Sequence, residues 1–118
     1  MISRGADKLI SGGLIYLASP YSDPSADVQG RRFFHACKAA AELMRRGYLI
    51  FSPIAHTHPI ARHGLPSDWE FWQKYDRAML AVCDELAVLE LDGWTESTGV
   101  TAEIKIAVEL GKPTTHIE

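Results

Sequence analysis

Cysteine is scarce: the 118 residues hold only Cys37 and Cys83, far apart in the chain. Two thiols in separate helical stretches exclude a disulfide framework and are expected to be buried and reduced, as in a cytoplasmic protein. Charge of one sign is also missing. Twelve Lys+Arg stand against fifteen Asp+Glu, a net −3, which argues against a nucleic-acid partner. No apolar run reaches the ~18 residues of a membrane span, and Met1–Asp7 lacks the apolar stretch of a signal peptide. Neither Gly-Lys-Ser/Thr nor Gly-x-Gly-x-x-Gly occurs, so triphosphate and dinucleotide binding through those loops is disfavoured. His56, His58 and His63 share one segment without a Cys or carboxylate at ligand spacing, so no metal and no cofactor is expected.

What is present is an ordinary folded composition, 47% hydrophobic and 23% charged, enough for one domain over 1–118 with a leader over 1–13. Leu14–Ala18 is an apolar run closed by the turn formers of Ser19-Pro20-Tyr21-Ser22-Asp23-Pro24, and it reads as a buried strand. From Ser25 to Arg46 the period changes to about 3.6, with Phe33, Cys37, Ala40, Ala41 and Met44 on one face; Gly47 ends the helix. Tyr48–Phe51 is a second strand, residues 54–66 a loop, and Ser67 or Asp68 the cap of a helix to about Val82. Leu86–Leu91 is a third strand, 92–97 a polar turn, Thr98–Leu110 a third helix, and 113–117 a last strand. Such alternation predicts a three-layer αβα domain, flavodoxin-like or Rossmann-like, with a parallel sheet of four to five strands. Ligands bind at the carboxyl ends of such strands, which points to loops 19–25, 52–66 and 92–98, and less to 83–85.

Two carboxylates fall on apolar helix faces. With Val100 at zero on a wheel of 100° per residue, Ala107, Ile104, Val108 and Leu110 form a core stripe, and Glu103 sits inside it at about −60°. On the preceding helix Asp76 falls at about +40° from Trp72, amid Met79 and Cys83. A carboxylate facing hydrocarbon is costly unless paired or protonated. One such residue is as readily a rim group bonded locally; two on neighbouring helices suggest acid–base or nucleophilic work at a sugar carbon. Ser97, Thr98 and Gly99 place hydroxyls and open N–H groups at a helix start, which either caps the helix or receives a phosphate. Trp69, Trp72 and Tyr75 read as core and dimer contacts rather than a base-stacking platform.

These residues resemble the nucleoside 2-deoxyribosyltransferase-like superfamily over about 14–117, with greatest similarity to bacterial and phage proteins of the DUF1937 and DUF4406 type. Ile15-Tyr16-Leu17-Ala18-Ser19-Pro20-Tyr21 resembles the first strand and phosphate-side loop, Tyr16 matching the active-site tyrosine. His56 stands where transferases carry a base-contacting glutamine, and Tyr75-Asp76 matches the acidic helix position. Ser97-Thr98-Gly99-Val100-Thr101-Ala102-Glu103 matches the stretch ending in the nucleophilic glutamate. Transferases of free nucleosides carry aspartate at the Ser97 position, and N-glycosidases of monophosphates carry serine. Family chains continue past the last strand with a tail that helps complete a neighbouring subunit's site, whereas this sequence ends at Glu118.

The resemblance implies cleavage or transfer at the N-glycosidic bond of a nucleoside or nucleoside 5′-monophosphate. Glu103 would be nucleophile, Asp76 proton donor or base-orienting group, and Tyr16 the partner of Glu103 or the sugar. Ser19, Pro20, His56, Ser97 and Gly99 would bind substrate. The partners expected are that small molecule and further copies of the chain, as a dimer or tetramer. The alternative is a catalytically silent nucleotide-binding or sensing module.

Overall fold

The computed structural model describes residues 2–10 and 12–118. Its four strands are β1 (Leu14–Ala18), β2 (Leu49–Phe51), β3 (Glu85–Leu89) and β4 (Thr114–Ile117), and its helices are α1 (Ala26–Arg45), α2 (Pro53–Ala61), α3 (Trp69–Val82) and α4 (Thr98–Glu109). All strand pairs are parallel, in the order β2-β1-β3-β4. Ala18 lies opposite Val88, so the switch in strand order falls between the ends of β1 and β3.

Alternation along the strands divides the core. Ile15, Leu17, Ala87 and Leu89 point to one face, against Ala39, Ala40 and Leu43 of α1. Tyr16, Ala18, Leu86 and Val88 point to the other, against Leu80 of α3 and Val100, Ile106 and Ala107 of α4. The result is a three-layer αβα arrangement of the flavodoxin-like kind. Among the described residues no helix is long and apolar enough to cross a membrane. Both cysteines are free; Cys83 is buried and Cys37 half-buried.

Four expectations change. Residues 53–61 are helical, not a loop, because Ser52 caps the segment (Ala55 N to Ser52 Oγ, 3.1 Å) and Pro53 fits the first helical position. The Ser-Pro pair that closes β2 thus also opens α2. On α1 the buried face is Ala36, Ala39, Ala40 and Leu43, while Met44 and Ala41 are exposed; small side chains let the helix close on the sheet. On α4 Val108 is 73% exposed and Ile106 is buried. The buried set Val100, Glu103, Ile106 and Ala107 centres at about −50° on the same wheel, nearly on Glu103 itself.

The fourth change is the leader. Ile2, Ala6 and Leu9 are buried in the α1-side core. Glu42 accepts from Ile2 N (3.2 Å), Tyr48 donates to the Ala6 carbonyl (2.9 Å), and buried Glu85 accepts from Ile10 N (2.7 Å). Ser11, also assigned to the leader, lies outside the described residues. The 83–85 segment lies at the amino end of β1, where Asp84 N donates to the Leu14 carbonyl (2.7 Å), and takes no part in the carboxyl-end cleft.

Candidate active site

At the carboxyl ends of β1, β2 and β3 the chain leaves a cleft of about 440 Å³. That is within the range of small-molecule sites. Its walls come from the loop after β1 (Ser19, Tyr21), from α2 (Ile54, Thr57), from the start and middle of α3 (Trp69, Trp72, Asp76), and from the start of α4 (Ser97, Gly99, Glu103).

Two carboxyls, Asp76 and Glu103, reach its floor, and the Tyr16 hydroxyl lies beneath them. Tyr16 is fully buried on the α3/α4 face of β1, and its hydroxyl donates to Glu103 Oε2. Glu103 is 5% exposed, and burial, followed by the nearby Asp76 charge, pushes its carboxyl up to about 8 against the lowering effect of the Tyr16 bond. Burial likewise pushes Asp76 up to about 7. Desolvation, then the charges of Glu103 and Asp76, raise the Tyr16 phenol, so it stays a proton donor. Sequence alone places these residues on strand, helix and helix; the fold brings all three together.

The other expected site residues divide. Ser19 is buried in the lining, and its Oγ has no protein partner; the same holds for Asp76 Oδ1. Buried polar atoms are almost always paired, so two orphans in one cleft mark places where a ligand or water bonds. Ser97 Oγ caps α4 by accepting from Val100 N (3.2 Å), and Ser97 also lines the cleft beside Gly99. Pro20 is buried behind the lining and contributes shape to the loop rather than a surface. His56 is exposed and outside the lining, its ring 6.1 Å from those of Phe51 and Tyr75.

His58 is turned inward, stacked on Phe33 at 4.3 Å and hydrogen-bonded to the Tyr21 hydroxyl. Burial, then the Arg62 charge, lowers its basicity. His63 is exposed, and among the described residues no group of His, Cys, Asp and Glu could hold a metal ion.

Sequence reasoning missed Tyr21, Thr57, Trp69 and Trp72. Thr57 was hidden by reading α2 as a loop. Trp69 and Trp72 lie on the same arc of α3 as Asp76, at about +60° and 0° on the wheel, which is the signal that could have found them. They line the cleft instead of filling only core or interface. Arg32 fixes the two loops that flank it, donating to the carbonyls of Ser22 (3.0 Å), Tyr21 (3.4 Å) and Asp92 (3.4 Å). Its guanidinium packs so closely on Gly93, whose φ is +89°, that a Cβ there would lie 2.6 Å from Nη2.

The family described as "Domain of unknown function (DUF1937)" matches residues 13–118. A solved 2-deoxyribosyltransferase from the psychrotolerant bacterium Bacillus psychrosaccharolyticus, described as a biocatalyst for nucleoside synthesis, is 28% identical. It superposes with a TM-score of 0.60, the match covering 86% of this chain and 69% of that one. No curated protein matches the sequence.

Proposed function

The chain belongs to the DUF1937 family, within the nucleoside 2-deoxyribosyltransferase-like superfamily, and on that premise we propose that it cleaves or transfers at the N-glycosidic bond of a nucleoside or nucleotide. The observation that carries the reading is the Tyr16–Glu103 bond: a buried carboxyl, held by a phenol, at the floor of a cleft large enough for a nucleoside.

In the proposed reaction ionised Glu103 attacks C1′ of the sugar. The bond to the base breaks, and its electron pair goes to the ring nitrogen. A neutral base needs a proton there, and Asp76, which burial pushes up to about 7, supplies it from its protonated form. Water or a second base then opens the glycosyl ester with net retention. Tyr16 bonds the Glu103 oxygen, favouring the carboxylate and fixing its rotamer. Ser19 Oγ, Ser97 and the Gly99 N–H offer bonds to sugar hydroxyls. The test is detection of free base from a nucleoside panel, with Glu103→Gln as the silent control. Ligand-induced stabilisation without any base release would favour the silent binding module instead.

A further inference from the structure

The charge of the cleft has one sign. Asp76 and Glu103 in its lining keep their protons up to about 7 and 8, so the negative charge comes from Asp68, Glu70 and Glu96, and among the described residues no Lys, Arg or His lines it. The two arginines nearest to it stand outside the lining. Arg32 holds three carbonyls, and Arg62 ends α2 beside His58 and Tyr21. The aromatic wall is also defined. Trp72 gives its indole N–H to the Pro66 carbonyl (2.7 Å), which leaves only its ring surface for a ligand. A Cβ on Gly99 would stand 3.7 Å from the Trp69 ring, so that ring abuts the α4 start. Carboxylates around tryptophan faces are the chemistry that binds delocalised cations. The orphaned Ser19 Oγ, itself nineteen-twentieths buried, independently calls for a bound ligand in the same cleft.

We infer that the cleft selects nucleosides whose heteroaromatic base carries positive charge, with Asp68, Glu70 and Glu96 setting the selectivity and Trp69 and Trp72 flanking the ring. The inference rests on the nucleoside reading above and adds the sign of the charge. It reverses the preference that Ser97 alone suggests, because a 5′-phosphate dianion would enter a cleft whose described lining has acidic side chains and no cationic one. Either a pyridinium or a ring-alkylated purine has this chemistry. The reaction suits it: Glu103 attacks C1′, the electron pair of the C1′–N bond neutralises the ring, and the base leaves uncharged without a proton from Asp76. Water then hydrolyses the ester and one proton is released. The cation also favours the ionised, nucleophilic form of Glu103 while it is bound.

The test is equilibrium dialysis at low salt and pH 6 with the full-length Glu103→Gln protein, which holds substrates uncleaved. The probes are nicotinamide riboside against its neutral dihydropyridine form, and 7-methylguanosine against guanosine, each as riboside, 2′-deoxyriboside and 5′-monophosphate. Expected is at least tenfold tighter binding of a cation than of its neutral partner with the same sugar, in one pair or both, and weaker binding of every monophosphate. Whichever pair responds identifies the source of the cation. Combining Asp68→Asn, Glu70→Gln and Glu96→Gln, all exposed positions, should reduce that ratio below threefold. Equal affinities, tighter neutral ligands, no binding at all, or an unchanged ratio in the combined variant would each overturn the inference. Wild-type base release separates the two readings. Release from neutral nucleosides without cation preference removes the charge inference alone, and cation-selective binding without release removes the glycosidic reading alone.

Discussion

The Tyr16 hydroxyl, from the middle of the central strand β1, donates a hydrogen bond to Oε2 of Glu103, one turn into α4. That bond joins sheet to helix at the cleft floor. It also opposes burial, which otherwise drives Glu103 toward its protonated form.

Stability should therefore fall as pH rises. Glu103 titrates near 8 in the folded chain against an ordinary carboxyl value of 4.5, so the folded state binds more protons between those values. A folded pKa raised in this way contributes stability that is complete below the unfolded value and is lost as pH climbs through the folded one. Urea unfolding at pH 5 and pH 8.5 should show the loss in wild type. In Glu103→Gln roughly half of that slope should vanish, the remainder belonging to Asp76, which burial also raises, and the variant should match or exceed wild type at the higher pH. A wild-type stability that is flat across this window would contradict the assignment.

Turnover of a neutral nucleoside should follow a bell. The nucleophile must be ionised and the donor protonated, so the rate rises as Glu103 loses its proton and falls as Asp76 does. With the two groups near 8 and 7, the limbs belong to the pair and enclose a narrow optimum. Asp76→Asn should abolish the alkaline limb and slow a neutral substrate by about 100-fold or more. Rates measured from pH 5 to pH 10 check this, and a profile unaltered in Asp76→Asn would remove Asp76 from the chemistry.

Ser97 is a cap whatever else it does. Ser97→Ala leaves Val100 N without its partner and should cost about 1 kcal/mol of stability. Ser97→Asp retains an acceptor at the helix start and should lie within a few tenths of a kcal/mol of wild type. Denaturant midpoints of the three proteins give the comparison.

Self-association is expected through the outward side of α3. Phe71 and Val82, 46% and 63% exposed, are eleven residues apart and so share one stripe. Light scattering should report a dimer or larger assembly at micromolar concentration, and Phe71→Asp should lower the mass. A monomer in wild type would rule this surface out as a self-contact.

Much of the fold was legible because its signals are local. Apolar runs closed by Gly and Pro mark β1, β2 and β3, and the 3.6-residue period marks α1, α3 and α4. Glu103 and Asp76 stood out for the same reason, since each breaks an apolar arc that the neighbouring residues define. Legibility ended where tertiary packing decides. Pro53 both closes a strand and opens α2, and only the Ser52 cap resolves it. The face of α1 is set by how closely alanines approach the sheet, not by which side chains are largest. The charge of the cleft gathers Asp68 and Glu70 from α3 and its cap with Glu96 from the loop before α4, which no single window of sequence brings together.

The central claim is that Glu103 performs the chemistry at C1′. Its most direct measurement follows free base released from a nucleoside panel by wild type and Glu103→Gln, with intact-protein mass spectrometry for a glycosyl adduct. The account predicts base release by wild type, a transient adduct mapping to Glu103, and neither in the folded variant. Release at an unchanged rate in Glu103→Gln, or an adduct on another residue, would contradict it.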